Sequence, residues 1–129
     1  MSPHAELPDR IYHLAIVGEW NEATDADAPY RRSTLGKSLA EEGFIHCSMV
    51  DQVQMIGDLV YRGRDDVLLL TIEVARVDSD IRVEPVGDGG EMFPHIYGPL
   101  PLDAVTQAHP IPLGADGRLV VQPLLDETG

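Results

Sequence analysis

The stretch IYHLAIV, Ile11 to Val17, decides how the rest of the chain is read. It is short, almost wholly apolar and rich in residues that favour extended backbone, so it reads as a strand buried on both faces. Side chains alternate along a strand, which puts His13 on the face shared by Ile11 and Ala15. An imidazole on such a face needs partners for both ring nitrogens, because an unpaired buried polar group is costly.

Working outward, Gly18 is expected to break the strand, and Glu19 to Ala26 follow as a short helix with Trp20 and Ala23 turned inward. Pro29 to Lys37 shows no period and reads as an irregular connection. Ser38 to Glu41 has the spacing of a capping box, with Gly43 placed as a C-terminal glycine. Phe44 to Cys47 reads as a second short strand. Ser48 to Asp51 repeats the capping-box spacing, and Met49, Val53, Ile56 and Val60 fall on one helical face running to Tyr61.

The second decisive run is VLLLTIEV, Val67 to Val74, apolar at nearly every position and expected at the centre of a sheet. Ile81 to Val86 and Glu91 to Tyr97 read as strands joined by a turn at Asp88 to Gly90. Pro99 and Pro101 end the second of these and lead into a turn over Leu102 to Ala104. Val105 to Leu113 and Leu119 to Leu124 read as a hairpin around Ala115 to Gly117, before a frayed tail from Asp126. Six or seven strands and two or three short helices, mostly in the N-terminal half, make an α+β fold. The 129 residues suit one domain, with no repeat or linker.

Lys and Arg number 9 against 22 Asp and Glu, for a formal charge of −13. Binding along a nucleic acid depends on cationic side chains displacing counterions, so no extended nucleic-acid surface is expected. The same charge disfavours an anionic membrane. Cys47 is the only cysteine, which rules out an intrachain disulfide and suits a reducing compartment. The N-terminal MSPHAELPDR lacks the pattern of a secretory signal, so the expected location is the cytoplasm.

Three histidines, His13, His46 and His95, fall inside expected strands, which suggests a polar crevice between sheets. His46 shares a face with Phe44 and Ser48, and His95 with Phe93 and Tyr97. Each could equally be a separately satisfied core histidine. No H-E-x-x-H or H-x-H pattern marks a zinc site, and no metal is assigned. Cys47 adjoins His46, but neighbouring strand residues point to opposite faces, so Cys47 reads as a small core residue. Gly36 to Ser38 has the ending of a phosphate-binding loop, but Arg31 stands where its first glycine belongs.

The strings IYHLA (11–15), EGFIHCS (42–48) and FPHIYGPLPLDAV (93–105), with Trp20 and Gln52, resemble the bacterial family called domain of unknown function 952. The resemblance covers roughly residues 10–111 and brings no activity with it. A strand carrying Tyr-His, followed by a strand with His-x-Ser opening a helix, is also similar to the RNA 2′-phosphotransferase branch of the ADP-ribosyltransferase fold. That resemblance implies two packed, mainly antiparallel sheets around a cleft for NAD. It makes His13 the residue that holds a ribose and His46 the one beside the nicotinamide ribose. Ser48 and His95 would line the same cleft, and Tyr97 would stack or donate a hydrogen bond.

The third position of the fold's motif, often Glu, falls near His95 to Tyr97, where no Glu stands; Glu84 and Glu91 are the nearby carboxylates. Arg31, Arg32, Arg62 and Arg64 could hold a phosphate, but none matches the motif. The resulting expectation is binding of NAD or a related nucleotide-like ligand, with ADP-ribosyl transfer as the chemistry. A non-catalytic ligand- or protein-binding module and a metal-dependent hydrolase are the alternatives.

Overall fold

The computed structural model describes residues 7–86 and 90–128. Six strands form two antiparallel sheets of three. β1 (Arg10–Ile16), β3 (Val67–Glu73) and β6 (Val105–Pro110) make the first, in the order β1-β3-β6. β2 (Ile45–His46), β5 (Met92–Ile96) and β4 (Ile81–Pro85) make the second, in the order β2-β5-β4. Among the described residues four α-helices accompany them: α1 (Val17–Asp25), α2 (Leu39–Glu42), α3 (Val53–Val60) and α4 (Gln122–Thr128). The expected α+β class is the one found.

The apolar runs of β1 and β3 are explained by layers on both sides of the first sheet. Ile11, Ala15, Leu68, Leu70 and Ile72 meet Ile45, Cys47, Ile81 and Ile96 of the second sheet and its surroundings. Tyr12, Leu14, Val67 and Leu69 face the other way, onto Val53, Tyr61, Leu119, Val121 and Leu125. β3 is central, pairing with β1 from Glu73 against Arg10 to Val67 against Ile16. Its other edge carries β6, with a register shift between Thr71 and Ile72.

Several local expectations hold. Ser38 Oγ accepts from the Glu41 N–H while Glu41 Oε1 accepts from the Ser38 N–H, completing the capping box, and Gly43 takes φ 90°. That backbone conformation is strained for residues with a Cβ. Trp20 and Ala23 pack against the main core, and Leu102–Ala104 forms a 3-10 turn.

Other expectations are corrected. α1 begins at Val17, so Gly18 sits inside the helix rather than breaking the chain. α3 begins at Val53, not after Ser48, because the Ser48 backbone pairs with Tyr12 and is not free to start a helix. Gln52 Oε1 instead receives the Met49 N–H, at 2.9 Å.

Leu119 to Leu124 is not a strand. The turn around Ala115 to Gly117 is present, closed by the Leu113–Leu119 bridge and by the Gly114 N–H to Arg118 carbonyl and Val120 N–H to Pro112 carbonyl bonds, but the pairing stops there. Pro123 could not donate to a ladder, yet it fits the first turn of α4. Val121 and Leu125, one turn apart, are both buried, so the supposed tail is partly helix. The turn read at Asp88 to Gly90 lies outside the described residues apart from Gly90.

One glycine is required by close approach. A Cβ at Gly98 would overlap Ser79 Oγ and lie 2.8 Å from Ser79 Cβ. Gly98→Ala is therefore expected to cost about 1–3 kcal/mol in a denaturant melt, the usual range for overpacking. Adding Ser79→Gly should restore most of the loss. A single variant as stable as the parent would mean that this loop yields without cost.

Candidate functional site

A cavity of about 610 Å³ opens beside β1, in the size range of small-molecule sites. Its floor includes His13, His46 and Ser48. Phe44 and Phe93 give it aromatic surface, and Met55, Ile56, Leu59 and Val60 of α3 give it an aliphatic wall. Leu59 and Val86 at its mouth are 74% and 48% exposed. Glu42 and Glu91 also line it. Among the described residues, no Lys or Arg does.

The segment Ile45 to Ser48 builds the floor by pairing with both sheets. Ile45 and His46 pair with Ile96 and His95 of β5, and the Cys47 N–H donates to the Pro94 carbonyl. The next residue crosses to the first sheet: the Ser48 N–H donates to the Tyr12 carbonyl at 2.7 Å, and the Tyr12 N–H returns a bond at 2.9 Å. The His46 N–H donates to Ser33 Oγ. The hydroxyls of Ser33 and Thr34 both donate to Glu42 Oε1, at 2.9 and 3.0 Å. Ser48 is only 4% exposed, and no described residue bonds to its hydroxyl.

The three histidines occupy different situations. His13 is buried, and both its nitrogens are taken. Nδ1–H donates to the His46 carbonyl at 2.7 Å, and Nε2 accepts from the Tyr30 hydroxyl at 2.9 Å. Burial is the main reason its pKa falls to about 4, and the nearby His46 adds to the fall against its own backbone hydrogen bond. A ribose could bond to His13 only by displacing one of these partners. Its position is next to the cleft, but its bonding is that of a core residue.

His46 is partly exposed to the cleft. Its Nδ1 lies 3.3 Å from His95 Nε2, and its pKa also falls to about 4, first through burial and then through the neighbouring His95. His95 is buried behind it. Its Nδ1 lies 2.9 Å from Glu84 Oε1, and its ring stacks on Phe44 with centroids 4.0 Å apart. Tyr97 donates to the same Glu84 oxygen, and the Arg82 guanidinium sits over the Tyr97 ring. These two bonds, the one from Tyr97 first, hold the Glu84 carboxyl below its ordinary range.

Among the residues read as site candidates, His13, His46 and Ser48 meet at the cleft, whereas His95 and Tyr97 lie behind it. Glu42 and the α3 wall escaped the sequence reading, which placed Phe44 and Phe93 beside the histidines without making them site residues. So did the partnership of Glu84, although strand pairing offered a signal: Glu84 faces Phe93, two residues from His95. Cys47 is fully buried and burial pushes its thiol pKa up, as suits a core residue rather than a nucleophile.

The four arginines are occupied elsewhere or point away. Arg32 pairs with Glu19 and Arg64 with Asp66, while Arg62 donates to the Asp116 carbonyl. Arg31 lines a separate surface recess. Among the described residues, no cluster of three or more His, Cys, Asp or Glu side chains is placed to hold a metal. No helix among them is long and apolar enough to cross a membrane.

Solved structures with the same fold include protein CC0527 from Caulobacter crescentus. Its crystal structure is 30% identical, with TM-score 0.78, over 91% of this chain and 98% of that one. A double mutant of the same protein aligns equally well. Its solution NMR structure is 31% identical, with TM-score 0.73, over 91% of this chain and 97% of that one. No curated protein matches the chain. A family described as "Protein of unknown function (DUF952)" matches residues 17–108, most of the chain and all of the cleft's histidines but His13, and the protein belongs to that family.

Proposed function

We propose that the cleft binds NAD or a related ADP-ribose compound, seating the ribose that carries nicotinamide in NAD, on an ADP-ribosyltransferase-like scaffold. The observation that carries this reading is the cavity itself. Beside β1 it joins two phenyl rings and an aliphatic wall to the polar edge of His46 and a Ser48 hydroxyl that no described residue engages. A flat ring with an attached sugar needs that combination of apolar surface and a few fixed hydrogen-bonding groups. Two antiparallel sheets flanking a cleft support the scaffold.

In this reading Ser48 and His46 contact the ribose, and Glu42 or Glu91 faces the positive charge that develops when the bond to nicotinamide breaks. His13 supports the floor from beneath. The diphosphate lies beyond the mouth, since no cationic side chain among the described residues lines the cavity. A non-catalytic module that only binds a ligand is the second reading, favoured by the exposed apolar rim of Leu59 and Val86.

Calorimetric titration should therefore rank nicotinamide riboside at least level with NAD, and ADP-ribose below both. His46→Ala should weaken binding of the first two about 5- to 150-fold, the usual consequence of removing one buried hydrogen-bonding partner. Silence from all three ligands at millimolar concentration would overturn the reading. Release of nicotinamide from NAD separates transfer chemistry from simple binding.

A further inference from the structure

Glu84, His95 and His46 form a chain whose proton positions can be worked out. The Glu84 carboxylate can only accept, so the short contact to His95 Nδ1 requires a proton on that nitrogen. In a neutral His95 the other nitrogen, Nε2, then carries the lone pair. It faces His46 Nδ1 at 3.3 Å, so the proton between them belongs to His46. One ring nitrogen of neutral His46 remains, Nε2, and it carries a lone pair with no partner among the described residues.

The hydroxyl protons of Thr34 and Tyr61, also in the lining, are spent on Glu42 Oε1 and the Leu14 carbonyl. Glu42 and Glu91 are carboxylates, and Ser48 has a hydroxyl that can give or take. The cavity therefore offers acceptors and negative charge around apolar walls, with no fixed cation among the described residues. A carboxylate or phosphate placed there would find the Ser48 hydroxyl as its one uncommitted side-chain donor among the described lining residues and would meet like charge. An ammonium, pyridinium, amide or hydroxyl group would find acceptors.

We infer that the Glu84–His95–His46 chain fixes His46 as a hydrogen-bond acceptor, so that the part of a ligand seated in the cleft is an apolar body carrying a donor group and no negative charge. This deepens the reading of the cleft as a small-molecule site and names the polarity of what enters it. It does not depend on the ligand being a nicotinamide compound. Glu84 is a positioning residue here, acting on the ligand through two imidazoles.

The test pairs 2-phenylethylamine with phenylacetate, which share a ring and differ in the sign of charge, at pH 8 on the intact protein. Long-range proton–nitrogen spectra should show His46 protonated on Nδ1. The amine should move the His46 and Ser48 resonances saturably, with affinity at least about tenfold above that of the acid. In Glu84→Ala, His46 should gain the Nε2–H tautomer and the amine's advantage should shrink. His95→Phe provides a second break in the chain if the first variant folds poorly. Equal or tighter binding of phenylacetate, failure of the amine to shift His46, or a wild-type His46 protonated on Nε2 would each overturn the inference. Amine selectivity without any NAD binding would sink the nucleotide reading alone, and NAD binding with a preference for the acid would sink only this one.

Discussion

Leu70→Ala should destabilise the domain by about 2–5 kcal/mol, the range for emptying a leucine-sized space in a core that cannot collapse around it. Leu70 is fully buried at the middle of β3, paired with His13 on one side and Ala108 on the other. It belongs to the core between the two sheets, where neighbours from both sheets hold the space open. Equilibrium denaturation in urea gives the measurement, with Leu59→Ala as the contrast. Leu59 is mostly exposed at the cleft mouth, so its truncation should leave stability within about 0.5 kcal/mol. A cost below about 1 kcal/mol for Leu70→Ala would take β3 out of the centre of the fold.

Acid should act almost as strongly. His13 and His46 each have a pKa near 4 in the folded protein, against an ordinary value of 6.5. The unfolded chain therefore takes up protons first, and the folded state loses ground as pH falls below 6.5. Stability from this source is complete at pH 7 and above and is lost between pH 6.5 and about 4. A tenfold difference in proton affinity between the folded and unfolded chain is worth about 1.4 kcal/mol. Both imidazoles together should then cost on the order of 3 kcal/mol between pH 7 and pH 5. Glu84, held below its ordinary range, acts in the same direction but only at lower pH. Urea midpoints measured from pH 8 to pH 4.5 would trace this fall. A flat profile down to pH 5 would mean that both imidazoles accept protons without leaving their places.

The parts of the fold that could be read from the sequence were those where one physical demand dominates. β1 and β3 are apolar because layers cover both faces of their sheet, and the capping box at Ser38 is a short-range arrangement complete within four residues. Readings failed where distant partners overrode a local pattern. Ser48 has the spacing of a helix cap, but its backbone is taken by Tyr12, 36 positions away in the chain. Leu119 to Leu124 looks extended until Val121 and Leu125 are seen to dock together against the back of the first sheet.

The candidate site follows the same rule. Alternation along strands was enough to single out His13, His46 and His95. It could not tell which ring keeps a free nitrogen, because that depends on partners contributed from elsewhere. The Tyr30 hydroxyl, from a stretch read as an irregular connection, closes off His13. Glu84, from the strand next to His95, orients the other two.

The four residues from Ile45 to Ser48 are shared by two sheets, and that has a mechanical consequence. A clam-like parting of the sheets would have to tear the Ser48–Tyr12 pair from one side or the His46–His95 pair from the other. The floor of the cleft is thus a rivet, not a hinge. Accommodation of guests of different shape falls to the rim, where Met55 and Leu59 can change rotamer without disturbing a single backbone bond.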